Sequence, residues 1–581
     1  MLNRIFRFLL TAGILFSMLV LSVQSAKASG TNRYVATTGV NSGPCTNSAA
    51  PCKTIAYAIA QSGMASADLI HIAAGIYYEY LTIDRPVSLI GVQENLTIID
   101  GGTPAAPRGG GGLTLIVVNG GVTATLQDLN VENAAHPGGN GGGIYNSGTL
   151  SLVHVVVSGN SALMGGGIFN AGKLSLYDVF ISGNSASNGP GGGLFNISAS
   201  SLPISNVTFS NNTASSYSGG IHHQGSGAMV LTNVTFSNNT AQIGGAMTLT
   251  AVASASIINS TIANNHATSA FGGLAIYGTI KMGNTILYGN DGANCGIGGT
   301  LISLGYNIDG GATCLTPTIA LTTDHPNTNP LLGPLAKNGG YVPTFGLLTG
   351  SPAIDAATAA YCPTRDAASW HRPQDGNGDG VAVCDIGAFE APSFTKFLSQ
   401  GVYDGRVRES TETSNVGSVI NSTGNILLGD SALKQQYRGI LSFSTGVSLP
   451  DTATITTVTL KVRQQAIVGG GNPVTIFQGF LVDIKNGTFG AAALEPSDFQ
   501  TTPSATYGPF TTALSGDWYS INLTSAKGYV NKLTTGSGLT QIRLRFKLDD
   551  NNDAIANILS LYSGDTPAAY RPQLVVTYYA P

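Results

Sequence analysis

The sequence predicts an all-β protein: a long coil of stacked parallel strands followed by a β-sandwich. Three observations predict it. The nonapeptide NVTFSNNTA occurs at 206–214 and again, unchanged, at 233–241. Looser copies flank both at a period of 24 to 28 residues, closing at Asn160, Asn184, Asn212, Asn239, Asn265 and Asn290. The composition then changes after residue 391 to alternating apolar and polar stretches such as RGILSFS and ATITTVTLKVR. A fixed period of this size marks a repeat architecture, and alternating runs separated by turn residues mark the short strands of a sandwich.

Within each repeat the apolar positions form columns. Three residues before the closing Asn stand Val157, Ile181, Phe209, Phe236, Ile262 and Leu287, and two earlier stand Val155, Val179, Val207, Val234, Ser260 and Thr285. Three residues earlier again come Leu152, Leu176, Ile204, Leu231, Ile257 and Met282. A spacing of two keeps side chains on one face of a strand, so a spacing of three marks a bend. At that bend stand His154, Asp178, Asn206, Asn233, Asn259 and Asn284, and glycine pairs begin at Gly142, Gly166, Gly192, Gly219, Gly244 and Gly272. A single turn cannot bury its own apolar face, whereas six or more stacked turns can, and stacked Asn amides can bond along the column.

The chain of 581 residues is too long for one core. Only 10% of residues are charged and the net charge is -4, against about 25% charged in an average domain. No Lys/Arg cluster suits a groove, so nucleic acid is not an expected partner. Residues 1–28 read as an export signal: Arg4 and Arg7, an apolar run from Phe8 to Val23, then Ala26-x-Ala28. No other apolar run approaches spanning length, so no membrane contact is expected beyond that segment. An exported chain with Cys45, Cys52, Cys295, Cys314, Cys362 and Cys384 is expected to form disulfides between sequence neighbours.

The repeats GGGIYNSG and SNNTA resemble those of polymorphic outer-membrane proteins, and the coil resembles the right-handed parallel β-helix of the pectate-lyase-like superfamily. CKTIAYAIAQS is similar to the short helix that covers the open end of such a coil. NTNPLLGPLAKNGGYVPTFGLLTGSPAIDAA with HRPQDGNGDGVAVCDIGAFE resembles the closing segment of choice-of-anchor Q surface proteins. DGRVRES, YRGILSFS, LDDNND and YRPQLVVTYY resemble the DNRLRE-type domain, related to carbohydrate-binding modules. These resemblances imply a β-helix with its cap over 29–319, a closing segment over 320–391, a linker over 392–399 and a jelly-roll-like sandwich over 400–581.

Fold alone does not decide function. Glycosidases need paired carboxylates, and the resemblance implies, for lyases of this fold, an acidic calcium cluster beside an Arg or Lys. From Gly101 to Asn290 the acids are Asp128, Glu132 and Asp178 and the bases Arg108, Lys173 and Lys281. Asp128, His154 and Asp178 fall on one bend of successive turns, an imidazole between two carboxylates. They are either a hydrolytic dyad or polar rungs of the Asn ladder, which the same column continues. His222 follows Tyr145, Phe169 and Phe195, which points to stacking, and His223 beside it faces the other way. In DGNGDGVAVCD, Asp375, Asn377, Asp379 and the Val381 carbonyl take calcium-loop positions, with Asp385 one place short of the closing ligand and Ile386 in its stead. Asp549, Asn551 and Asp553 form a second calcium expectation, in the C-terminal domain. The expected protein is secreted or at a bacterial-type cell surface, binding polysaccharide or cell-surface glycan, with calcium as the one candidate cofactor. The rival expectations are a polysaccharide lyase or glycoside hydrolase, and a structural surface-layer component.

Overall fold

The computed structural model describes residues 30–64, 67–103, 106–107 and 112–580. The expected export segment and Arg108 lie outside the described residues. The fold is all-β, a β-solenoid of about nine turns followed by a curled antiparallel sheet. Two compact units are distinguished. One holds the described residues up to Ile204 with Phe209–Met229 and Asn238–Ser254, the other Ser205–Thr208, Val230–Ser237 and the described residues from Ala255 on.

In the first unit the helix Ile55–Ala60 begins where Thr54 caps Tyr57 N–H. Glu79 accepts the Ile55 and Ala56 N–H groups, both at 2.9 Å. Those are donors that a helix start leaves without intrahelical partners. The helix buries Ile55, Ala58 and Ile59. The strands Thr123–Glu132, Thr149–Ser158 and Lys173–Ser182 then run parallel in one register, so that Leu126, Leu152 and Leu176 stack, as do Val131, Val157 and Ile181. All six are buried. A second parallel sheet stacks Ile144–Asn146, Ile168–Asn170, Leu194–Asn196, Ile221–His223 and Met247–Leu249. A third begins with Ala135–Asn140 and Ser161–Met164.

The bend is a left-handed residue. Asp128, His154 and Asp178 have φ of 54°, 52° and 52°, and Asn206, Asn233, Asn259 and Asn284 have φ between 47° and 56°. Only Gly, Asn, Asp and, less often, His enter this region at modest cost, which explains the composition of the column. The same rule explains why Gly159, Gly183, Asn211, Asn238, Asn264 and Gly289 precede the closing asparagines, since all six also have positive φ. The closing residues bond from turn to turn. Asn160, Asn184 and Asn212 each donate Nδ2 to Oδ1 of the next Asn at 2.9 to 3.0 Å, and the same oxygen accepts the donor's backbone N–H.

The glycine column needs one correction. Ile221 pairs with Met247, so Gly245, not Gly244, is level with Gly219, and Ala246 replaces the second glycine. Gly244 instead takes the left-handed position, with φ of 66°. Backbone oxygens approach closely here. A Cβ on Gly142 would stand 2.5 Å from the Ser161 oxygen.

In the second unit the coil continues through Thr235–Ser237, Thr261–Ala263, Ile286–Tyr288, Ile308–Asp309 and His325–Pro326. A closing segment follows, starting with the hairpin Leu332–Ala336 and Thr344–Leu347, and it bonds to the bend of these turns. Asn233 Nδ2 donates to the Arg365 carbonyl at 2.8 Å, Asn284 exchanges two bonds with Thr358, and Ala388 N–H donates to Thr261 Oγ1. The C-terminal domain is antiparallel, but its two faces are one sheet. The 15-residue strand Thr454–Val468 pairs with Gln573–Tyr579 and Trp518–Asn522 along its first part, then shifts register between Gln464 and Ala466 and pairs with Asn557–Leu561. Such an irregularity bends and twists a strand, so the sheet curls onto itself around Leu441, Phe443, Leu460, Val462, Phe480, Val482, Ile542 and Leu544. Disulfides join Cys45 to Cys52, Cys295 to Cys314 and Cys362 to Cys384. Among the described residues no helix is long and apolar enough to cross a membrane.

Candidate functional site

Strand register brings Asp128, His154 and Asp178 together. His154 Nδ1 lies 3.1 Å from Asp128 Oδ1 and Nε2 lies 3.3 Å from Asp178 Oδ2. The Asp178 side chain is 3% exposed, against 23% for Asp128 and 22% for His154. Asp178's hydrogen bond, opposed by burial and aided by both carboxylate charges, raises the His154 pKa. Gln127 Nε2 also donates to Asp128 Oδ2 at 2.8 Å. Both imidazole nitrogens are therefore engaged by carboxylates, which links three successive rungs and leaves Asp178 Oδ1 buried without a hydrogen-bond partner. The Tyr177 ring, 41% exposed, sits 6.4 Å from that of His154.

The histidine pair lies apart from this corner. The rings of Tyr145, Phe169, Phe195 and His222 succeed one another at 5.2, 5.3 and 5.2 Å. Burial lowers the His222 pKa to about 4, with a further push from His223. His223 bonds to Asn196 and to the Gly227 carbonyl, which ends the ladder of Asn146, Asn170 and Asn196. The two histidines therefore serve different neighbours.

The acidic loop is folded on itself. Asp375 accepts the N–H groups of Gly378, Asp379 and Gly380, Asn377 Oδ1 accepts that of Asp379, and Asp379 Oδ1 that of Val381. Asp385 does not join it. This carboxylate is buried and takes the N–H groups of Asp355 and Ala391. The member that comes to the loop instead is Asp355, which accepts from Asn377 at 2.7 Å. In the C-terminal domain Asn551 and Asn557 donate to Asp553, while Asp549 Oδ1 accepts the Asp550 N–H. Among the described residues no group of three or more His, Cys, Asp or Glu is arranged to hold a metal.

Two arrangements escape a linear reading of the sequence. Asp100 and Glu132 face each other on neighbouring parallel strands, and burial, with a smaller push from the Asp100 charge, raises the Glu132 pKa against the Asn130 hydrogen bond. Asp100 ends the strand Thr97–Asp100 as Glu132 ends Thr123–Glu132, and this shared place at a strand end is the signal the sequence carries. The second is an aromatic platform around Arg463. Its guanidinium lies 4.4 Å from the Tyr570 ring centre, 5.9 Å from Tyr562 and 6.0 Å from Trp518, and the two tyrosine rings stack at 5.1 Å. Val462 and Tyr519 point into the core, so Arg463 and Trp518, cross-strand partners, point outward. Asp517 Oδ2 meets Arg463 Nη2 at 3.2 Å.

No family model matches the chain, and no curated protein does. Solved structures give distant likenesses. Pectate lyase Pel9A is 16% identical with a TM-score of 0.38 over 62% of this chain and 96% of its own. The pectin methylesterase PemA of Erwinia chrysanthemi is 15% identical at 0.26, over 47% of this chain and 93% of its own. The carrot pectin methylesterase is 13% identical at 0.25, over 52% and 90%.

Proposed function

We propose that this is a secreted or cell-surface β-helix protein that binds glycans without cleaving them, its C-terminal domain supplying the principal contact. The observation that carries this reading is the platform of Trp518, Tyr562 and Tyr570 around Arg463. Aromatic faces present large apolar area at low entropic cost, and the apolar faces of sugar rings suit them. A guanidinium beside them orients hydroxyl or carboxylate oxygens by its fixed fork of donors. The coil supports the reading through its nearly uncharged polar surface, only 10% of the whole chain's residues being charged. The sequence resemblances to surface-protein repeats, an anchor-type closing segment and carbohydrate-binding modules agree with it, as do the three disulfides. If calcium takes part, Asp375, Asn377, Asp379 and the Val381 carbonyl are its seat, without Asp385.

The test is a polysaccharide panel read for both binding and new chain ends. Binding without new reducing or unsaturated ends, weakened tenfold or more in Trp518→Ala (about 1.4 kcal/mol or more) and unchanged in Asp178→Asn, is the expected result. Binding that survives Trp518→Ala and Tyr570→Ala together overturns the assignment to the platform.

One observation favours a second reading, a polysaccharide lyase or glycoside hydrolase. Asp100 and Glu132 stand on adjacent rungs with the Glu132 carboxyl raised by burial, and glycosidases use a raised carboxylic acid as general acid beside a second carboxylate. On that reading new chain ends appear and vanish in Glu132→Gln.

A further inference from the structure

The closing segment gathers four ionisable side chains in one buried place. Asp366, Arg372, Asp385 and Glu390 are 0%, 7%, 1% and 0% exposed. Three carboxylates thus share one guanidinium. Glu390 accepts N–H groups from Gln374 at 2.8 Å and Asp385 at 3.0 Å, with Arg372 Nε 3.5 Å away. Asp366 accepts from Ala368 and Trp370 with one oxygen and from Glu390 N–H with the other. Arg372 directs its two terminal nitrogens to the Asp385 and Gly387 carbonyls at 3.0 and 2.8 Å. Full ionisation would leave two uncompensated negative charges in the interior, which burial strongly disfavours.

The groups packed against the cluster do not supply the missing charge. From the coil comes Asn259, whose amide oxygen, turned toward Arg372 Nη1, lies 2.6 Å from it. From the last strand comes Tyr579, its ring stacked 3.9 Å from Trp370 and its hydroxyl donating to the Glu390 carbonyl. Burial and the three carboxylates raise the Tyr579 pKa, so it stays neutral. Asp355 turns its carboxylate to the 376–383 loop, beside Asp375. Arg365 and His371 pair with each other on the exposed side.

We propose that this cluster is a proton-operated latch: the closing segment is held tightly on the coil's bend while the buried carboxyls carry protons, and loosens as they ionise. The electrostatics agree with the geometry. Burial, opposed by Arg372, raises Glu390 to about 7 and Asp366 to about 6. Asp385 is raised by burial and then by the Glu390 charge. In the released segment these carboxyls return to their ordinary range near 4. The docked form therefore binds protons more tightly, so docking is complete in acid and is lost as pH rises from that range to about 7. Release frees the bonds of the segment to Asn233, Thr261 and Asn284 and uncovers the amide bend beneath.

Hydrogen exchange read by mass spectrometry on the full chain tests this, with protection factors corrected for intrinsic rates at pH 5 and pH 8. The expected result is a loss of protection of about tenfold or more over residues 353–391, with the core strand Thr540–Phe546 changing less. Glu390→Gln, permanently neutral, is expected to remove most of that pH dependence, and Asp366→Asn serves if the first variant does not fold. His371→Gln is expected to leave it intact. Equal protection at both pH values in the wild type overturns the latch, as does a profile that persists in both carboxyl variants or disappears in His371→Gln.

Discussion

At Asp128, His154 and Asp178 the bend of the coil carries charge, and solvent reaches two of the three side chains. At Asn233, Asn259 and Asn284 it carries amides, and the closing segment lies over them. The backbone is the same in both, left-handed with φ near 50°. What differs is what the outer atoms meet. A covering backbone offers carbonyls and N–H groups together, and the Asn amide, which also enters the left-handed region readily, answers both without a charge; a corner open to water can carry an imidazole between carboxylates. The polar column is thus set first by the turn and only second by its surroundings.

The largest effect is expected at the covered end. Asn233→Ala loses the bonds to Asn206 and Arg365 and forces a left-handed alanine, an expected loss of about 3 kcal/mol in urea unfolding. Asn233→Gly keeps the backbone freedom and is expected to lose less, so equal losses would show that conformation plays no part. Next in size is His222→Phe. It extends the ring column and removes a buried imidazole whose Nδ1 has no partner, with an expected gain of about 1 kcal/mol in the same assay.

At the open end the effect is smaller. The His154 pKa is raised in the folded chain, so the corner's contribution is complete below the ordinary histidine value of about 6.5 and is lost as pH rises through the raised one. The group is partly exposed, so solvent screening holds the change to about 1 kcal/mol or less. His154→Asn converts this rung to the chemistry of the covered ones. Its stability is expected to stay level between pH 6 and 9 at this site, measured against Glu390→Gln to separate the latch. The smallest effect is calcium. Because the oxygens of Asp375, Asn377 and Asp379 already accept the loop's own N–H groups, millimolar calcium against chelator is expected to move the melting temperature by about 1 °C or less.

The coil was legible because its signals are local and repeated. Left-handed corners admit few residue types, and inward columns recur every turn, so 27-residue spacing shows both at once. The one misplaced column, at Gly244, arose where Ala246 breaks the glycine pair and only strand pairing fixes the register. Function was less legible. Arg463, Trp518, Tyr562 and Tyr570 come from separate strands and turns, and Asp366, Arg372, Asp385 and Glu390 meet only when the closing segment folds. Asp385 shows the limit well: its spacing from Asp375 suggested a ligand, whereas the chain turns it inward toward Asp355 and Ala391. The curled sheet was likewise hidden, since a register shift inside one long strand leaves no mark in an alternating pattern.

The closing asparagines all point one way. Each amide in Asn160, Asn184 and Asn212 is completed by the turn after it, so every turn is both template and customer for an identical neighbour. A coil built on such joints changes length in whole turns, because a cut anywhere else leaves two amides facing unlike surfaces. The unchanged nonapeptide at 206–214 and 233–241 is the same joint written twice, one repeat apart. The length of such a coil is therefore counted in steps of a single repeat.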